Sequence, residues 1–248
     1  MIISHHWKFV FVKTRKTGGT SAEIALSRLC KPGDIVTPVS QEDEHLRPDV
    51  AVGPQQMTFK VNGSVIKLTN HSPLRDAFRV FGAKLKDYKI ISVERNPFDR
   101  AVSLYFWQKR NRPENNSGMS AKWVINTFNS NMPLYSLFGI PVFDHMLRTE
   151  NLDEDLAALA QDLGVEGDLA SGLVRAKSGY RPKSASREEV FADDLLRSVV
   201  ESKSMAELYQ FGYSFDRVGC EPIAPLPHRK QVISAYIRKL KQAEALNV

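Results

Sequence analysis

Long apolar runs and cysteines are scarce in this chain of 248 residues, and each scarcity excludes a class of protein. No apolar stretch approaches the ~18 residues that a membrane-spanning helix needs, so we expect no membrane segment. The N-terminal "MIISHHWKFVFV" lacks the basic start, long apolar middle and cleavage site of a secretory signal, which favours a cytoplasmic protein. Cys30 and Cys220 lie far apart without metal-ligand spacing, so we expect buried thiols in preference to a disulfide, and no metal site.

Positive charge is in excess, with a formal net charge of +6. This balance favours an anionic ligand without identifying it. The basic residues are spread along the chain, and no helix-turn-helix, zinc-finger or RNP signature accompanies them. We therefore expect one anionic cofactor site and no nucleic-acid partner, while the sequence leaves the oligomeric state open.

Apolar strand-like segments alternate with helical segments along most of the chain. This alternation predicts a single α/β domain over residues 1–248, with a mainly parallel sheet flanked by helices. Asn62-Gly63 predicts a hairpin within 57–71. The stretch 105–142, rich in Asn, Ser, Pro and aromatic residues, is predicted to be a lid or acceptor-binding insert. The predicted strands are 7–14 and 88–95. The segment 143–165 is predicted to hold a strand, a turn and a helix. The predicted helices are 20–29, 73–85, 96–110, 192–211 and 228–242.

The segment "KTRKTGGTSAE" (13–23) joins the first predicted strand to the first predicted helix. Such a loop lies at the carboxyl end of a parallel strand, where ligands bind, and the helix N-terminus offers unpaired N–H groups to an anion. Gly18 and Gly19 let the backbone approach oxyanions closely, and Lys16 adds an ammonium group. Further donors are the hydroxyl groups of Thr17, Thr20 and Ser21.

This loop differs from the nucleotide-binding loop G-x-x-x-x-G-K-[ST], because its glycines follow the lysine. The difference suits a smaller anionic group than a diphosphate with magnesium. Thr20 or Ser21 is predicted to cap the following helix. Glu23 is predicted to lie in its first turn, where a carboxylate offsets the helix dipole.

A second candidate anion site lies in "ISVERNPFDRAVS" (91–103). Arg95 ends the predicted strand, and Ser103 lies two turns into the next helix. Arginine is suited to bidentate phosphate binding. Two anion sites at one edge of a sheet predict a ligand with anionic groups at both ends. An ion pair of Arg95 with Glu94 or Asp99 is the structural alternative.

At these residues the chain resembles the sulfotransferase family, above all bacterial and carbohydrate sulfotransferases related to heparan sulfate 2-O-sulfotransferase. The resemblance rests on "RKTGGTS" and "VERNPFDRAVSLY", with "LRTENLDEDLAAL" and "FGYSFD" as further similar stretches between residues 7 and 216. It implies a P-loop-NTPase-like fold and the cofactor 3′-phosphoadenosine 5′-phosphosulfate, whose product is 3′-phosphoadenosine 5′-phosphate. It also implies a small-molecule or glycan acceptor with a hydroxyl group.

The resemblance also implies roles for individual residues. Arg95 and Ser103 would hold the 3′-phosphate. The basic stretch 175–187 would close over the nucleotide, with contacts from Arg181, Lys183 and Ser184. Arg15 stands where the family often has a small residue. The 5′-phosphosulfate would be held by Arg15, Lys16, Thr17, Gly18, Gly19, Thr20 and Ser21.

Sulfuryl transfer to a hydroxyl needs a base and cations that stabilise the leaving phosphate. We expect Lys16 to stabilise the bridging oxygen. Among six histidines, His71 is the best-placed base, because it lies between the strand "VIKLTN" and the helix "SPLRDAF". "HSPLRDA" also resembles the family segment that carries the base. A structural histidine is the alternative, and Glu44 and Glu23 are fallback bases.

Two other functions remain open at this point. An ATP-dependent small-molecule kinase would use Glu94 to hold magnesium, although the misplaced glycines argue against it. A nucleic-acid-binding protein would use the basic tail 228–241. Aromatic residues of the insert would either stack on an acceptor or belong to the core, namely Tyr105, Phe106, Trp107, Trp123 and Tyr135.

Overall fold

The computed structural model describes residues 1–112, 118–171, 173, 182 and 185–245. The chain forms two compact units. The first comprises Met1–Glu94, Asn131–Ala176 and Ile223–Val248, and the second comprises Arg95–Ser130 and Lys177–Pro222. The predicted insert 105–142 is divided between them. That the whole chain is one domain stays a prediction.

The first unit contains a five-stranded sheet and two short hairpins. Its strands are β1 (Ile2–Ser4), β2 (Phe9–Val12), β3 (Ile35–Val36), β4 (Thr58–Val61), β5 (Ser64–Lys67), β6 (Lys89–Glu94), β7 (Ser136–Leu137), β8 (Ile140–Pro141) and β9 (His145–Arg148). The sheet order is β3-β1-β2-β6-β9. Strands β2, β6 and β9 run parallel, as predicted. The antiparallel edge of β1 and β3 was not predicted, so the sheet is mixed.

Helices flank this sheet and build the second unit. In chain order they are α1 (Gly19–Ser27), α2 (Leu74–Phe81), α3 (Pro97–Asn111), α4 (Ala121–Thr127), α5 (Leu152–Leu163), α6 (Arg187–Val190), α7 (Asp194–Lys203), α8 (Met205–Phe211) and α9 (Arg229–Ala245). The mixed α/β architecture is therefore confirmed. None of the helices in the described part of the chain has the length and apolar character needed to cross a bilayer.

The core of the first unit positions the loop after β2. Phe9 and Phe11 of β2 pack with Ile91 of β6, Leu26 of α1 and Leu156 of α5. Every residue of α1 is buried, so this helix is enclosed on all sides. Both ends of the loop are thereby attached to rigid elements, which is what a preorganised binding loop requires.

Local turn chemistry was predicted well, whereas very short strands and helix breaks were not. The hairpin is confirmed, with Asn62 and Gly63 at φ of 47° and 76° between β4 and β5. Strand β1 has three residues, too few for a pattern, and was missed. The helix predicted over 192–211 is two helices, because the backbone of Ser204 leaves helical geometry with φ of −122°.

The second unit has its own small core, in which Phe98 of α3 packs with Phe128 and Val200. Asn96 caps α3 by accepting a hydrogen bond from the Phe98 N–H (3.1 Å). Its side-chain amide donates to the carbonyl oxygens of Ser214 and Arg217, at 2.9 and 2.8 Å. The stretch "NPFD" therefore organises this unit as well as beginning a helix.

Candidate anion-binding site

The loop between β2 and α1 turns sharply at two residues. Lys16 has a φ of 62° and Gly18 a φ of 68°, both in the left-handed region that a lysine seldom adopts. Gly18 is the N-cap of α1, and its carbonyl oxygen accepts from the N–H groups of Ser21 (3.0 Å) and Ala22 (3.4 Å). Strain of this kind at a non-glycine residue is typical of binding sites.

Backbone donors gather where this loop enters α1. Within the described residues, no group accepts a hydrogen bond from four successive backbone N–H groups, those of Thr17, Gly18, Gly19 and Thr20. The positive end of the α1 dipole reinforces them. Lys16 is partly buried in the same loop. This set of donors suits an anion with several oxygens, such as a sulfate or a phosphate.

Gly19 is needed for packing, not for a positive φ. A Cβ at this position would lie 2.8 Å from Lys13 Cγ and 3.3 Å from Val93 Cγ1. Lys13 is held in place, because its Nζ pairs with Glu23 Oε2 at 2.9 Å and both side chains are buried. Glycine is therefore required at the two positions for different reasons. Gly18 supplies a left-handed turn, and Gly19 leaves room for the Lys13 side chain.

The hydroxyl groups of the loop are used differently from the prediction. Thr14 Oγ1 donates to the Val93 carbonyl oxygen, so in the 2.7 Å contact between Thr14 and Thr17 the Thr17 hydroxyl is the donor. The Thr17 side chain is thus occupied, and its N–H group is what it offers to a ligand. The predicted helix cap was wrong, because α1 begins after a left-handed glycine and has no side-chain cap. Thr20 and Ser21 are buried instead.

Glu23 was wrongly predicted to lie in the first turn of the helix. It is the fifth residue of α1 and is fully buried, with Oε1 accepting from the Met1 amino group at 2.8 Å. Burial acts to raise the pKa of Glu23, but the ammonium groups of Met1 and Lys13 outweigh it and hold the pKa below its ordinary value. A carboxylate kept ionised by two cations is a poor base, which removes Glu23 as a candidate.

His71 lies against the start of the loop. Its Nδ1 is 3.1 Å from the carbonyl oxygen of Lys13. A carbonyl oxygen can only accept, so Nδ1 carries the hydrogen and Nε2 of the neutral ring keeps its lone pair. Burial lowers the pKa of His71 from 6.5 to about 4, helped by the positive charges of Lys13 and Arg15 and opposed by this hydrogen bond. The ring is therefore neutral at physiological pH in the tautomer that a base needs.

Two residues outside the loop hold it by hydrogen bonds to its backbone, and the sequence did not single them out. Asn131 Oδ1 accepts from the Arg15 N–H (3.1 Å), and its Nδ2 donates to the Arg15 carbonyl oxygen (3.0 Å). Thr149 Oγ1 donates to the Thr17 carbonyl oxygen (2.6 Å) and lies 3.0 Å from that of Glu94. Thr149 directly follows β9, so its place after a predicted strand was the signal that could have found it.

The predicted 3′-phosphate residues belong to the second unit. Arg95 is its first residue and is partly buried, and Ser103 is partly buried on α3. Asp99 pairs with Arg187, and an ion pair of Arg95 with Glu94 or Asp99 stays an open alternative. That Arg95 and Ser103 bind a phosphate stays a prediction. Arg181, Lys183 and Ser184, predicted to close over the nucleotide, lie outside the described residues.

The remaining candidates have evident structural roles or lie on the surface. Glu44 accepts from the Val39 N–H (2.7 Å) and pairs with Arg47 (3.0 Å), so its carboxylate is engaged. The Arg15 side chain is exposed, although its backbone is held. His5 is partly buried, with Nδ1 2.9 Å from Tyr88 Oη. Cys30 and Cys220 are free and buried, as predicted.

The aromatic residues of the predicted insert are divided between the two units. Tyr135 is fully buried in the first unit, where its hydroxyl donates to Glu94 Oε1 at 3.1 Å, so it belongs to the core. In the second unit, Tyr105 contacts Trp123 edge to face at a centroid distance of 5.5 Å, and both are partly buried. Tyr135 is therefore excluded as an acceptor-stacking residue.

Comparison with known proteins adds no relative to this description. The chain matches no model of a protein family, no curated protein and no solved structure.

Proposed function

We propose that the chain is a sulfotransferase that uses 3′-phosphoadenosine 5′-phosphosulfate and acts on a hydroxyl acceptor. The observation that carries the proposal is the loop from Lys13 to Gly18. It is turned twice into the left-handed region and leads into four successive N–H groups with no acceptor among the described residues. The identity of the nucleotide comes from the resemblance of "RKTGGTS" and "VERNPFDRAVSLY" to the sulfotransferase motifs.

The residues of the loop fit the phosphosulfate end of this cofactor. The N–H groups of Thr17, Gly18, Gly19 and Thr20 would bind its oxygens, and Lys16 would supply positive charge beside them. When bound, the cofactor supplies the sulfuryl group that the acceptor receives. Lys16 would stabilise the negative charge that develops on the phosphate, as a positioned cation does for a leaving oxyanion.

His71 is the proposed base. Its Nε2 lone pair accepts the proton of the acceptor hydroxyl, while the bond from Nδ1–H to the Lys13 carbonyl oxygen keeps the ring in place and stabilises the cation that forms. A pKa of about 4 makes His71 a weak base in the free protein. An anion in the loop offsets the charges of Lys13 and Arg15, so its binding raises the pKa of His71 toward the working pH.

A transfer assay tests the proposal. The protein is incubated with ³⁵S-labelled cofactor and a panel of glycans and phenols, with chelator present, and labelled product is measured. We expect transfer that needs no magnesium and that falls by about 10²–10³-fold in Lys16→Ala, the usual loss for one oxyanion donor.

Lys8→Ala is the matched control for this variant. Lys8 is an exposed lysine, also at positive φ (52°), at the other end of β2. It should retain wild-type turnover. Full activity in Lys16→Ala would refute the role of the loop, and phosphate transfer from ATP that depends on magnesium would identify a kinase instead.

A further inference from the structure

The strained Lys16 is flanked on both sides by peptide groups that distant side chains hold. Asn131 binds both backbone groups of Arg15, and Thr149 binds the carbonyl oxygen of Thr17. Both residues come from other segments of the first unit, 116 positions from Arg15 and 132 positions from Thr17 respectively. The left-handed turn at Lys16 is therefore imposed by its surroundings.

Holding a carbonyl oxygen also directs the next N–H group. All the described peptide bonds are trans, so C=O and N–H of one peptide unit point in opposite directions. Because Thr149 binds the Thr17 carbonyl oxygen, the N–H of Gly18 in the same unit points away from Thr149. That N–H group is one of the four without an acceptor among the described residues. Thr149 therefore fixes the direction of the Gly18 N–H, a donor without an acceptor among the described residues.

The Thr149 methyl group limits the same turn sterically. A Cβ on Gly18 would lie 3.4 Å from Thr149 Cγ2, so the side chain packs directly over the left-handed glycine. Thr149 Oγ1 is also 3.0 Å from the carbonyl oxygen of Glu94, which connects the loop to the end of β6. One side chain therefore sets the position of the loop relative to the sheet.

We infer that Thr149 and Asn131 are positioning residues, which hold the 13–18 loop in its anion-binding conformation without touching the anion. The inference rests on the proposed function for the identity of the anion, but not for the geometry of the loop. Loss of the Thr149 hydroxyl should release the Thr17–Gly18 peptide unit and let Lys16 relax from its strained φ. The penalty then appears as weaker anion binding.

The test compares Thr149→Val, which lacks the hydroxyl at equal size, with Thr149→Ser, which retains it. Calorimetry with 3′-phosphoadenosine 5′-phosphate should show affinity about tenfold weaker in Thr149→Val, as expected for one lost hydrogen bond. Thr149→Ser should restore most of it. Asn131→Ala should also weaken binding, and Thr58→Val, at an exposed position on β4, should leave it unchanged.

A second readout needs no nucleotide. Amide–Hα couplings and intraresidue nuclear Overhauser effects report the φ of Lys16, which should leave the positive region in Thr149→Val and return to it in Thr149→Ser. An unchanged φ in Thr149→Val, or a folded Thr149→Ser that behaves like Thr149→Val, would overturn the inference. A wild-type protein that binds no nucleotide would refute the proposed function, while the φ of Lys16 would still decide the inference.

Discussion

The pKa of His71 depends on the burial of its ring and on the hydrogen bond from its Nδ1–H to the Lys13 carbonyl oxygen. Its pKa is lowered from 6.5 to about 4, chiefly because the ring is removed from water. The difference corresponds to about 3 kcal/mol in favour of the neutral ring in the folded protein. The unfolded chain takes up a proton at higher pH than the folded one. The stabilisation is therefore complete above pH 6.5 and is lost as the pH falls toward about 4.

Two measurements check this magnitude. Ring ¹⁵N shifts of His71 should show the neutral Nδ1–H tautomer at physiological pH and a midpoint near pH 4 that rises when 3′-phosphoadenosine 5′-phosphate is added. Urea unfolding should show that wild type loses about 2 kcal/mol more than His71→Asn between about pH 7 and pH 5. His228→Asn, at an exposed position, is the control and should follow wild type.

A His71 that titrates near its ordinary pKa in the free protein would refute this reasoning. So would a hydrogen on Nε2, because the Lys13 carbonyl oxygen would then have no donor from the ring. Either result would also remove the physical basis for His71 as the base.

Two further predictions concern the same unit. His71→Ala should lower sulfuryl transfer by about 10²-fold or more, while affinity for 3′-phosphoadenosine 5′-phosphate stays near wild type. The reason is that a base acts in the reaction and not in binding. A large loss of affinity would make His71 a structural residue. Gly19→Ala should destabilise the protein by about 1–3 kcal/mol in urea unfolding, because its Cβ meets the fixed Lys13 side chain. Gly53→Ala, with no atom within 4 Å of the new Cβ, is the control, and equal stability of the two variants would contradict the packing argument.

The loop and its supporting elements could be predicted because their signals are local. The apolar strand before Lys13, the glycine pair and the helix after it lie within one short stretch, and Asn62-Gly63 specifies its hairpin by turn chemistry alone. The structure places His71, the base proposed from the sequence, beside the loop, where its ring bonds to the Lys13 carbonyl oxygen. Its catalytic role stays a prediction.

What the sequence did not predict depends on contacts between distant segments. Asn131 lay in a stretch predicted to be an insert, and nothing local links it to Arg15. The sequence around Glu23 predicts an ordinary first-turn carboxylate, because no local pattern indicates that α1 is buried on all sides. Once a helix is enclosed, a carboxylate on it needs a buried cation, and Lys13 supplies one. Such pairings are set by tertiary packing, which overrides local preference.

The central claim is that the 13–18 loop binds the phosphate end of an adenosine nucleotide. Isothermal titration calorimetry with 3′-phosphoadenosine 5′-phosphate tests it most directly, on wild type, Lys16→Ala and Lys8→Ala. We predict binding to wild type and Lys8→Ala with equal affinity, and affinity about 10- to 100-fold weaker in Lys16→Ala, as for loss of one charged donor. No binding to wild type, or equal affinity in all three proteins, would contradict the claim.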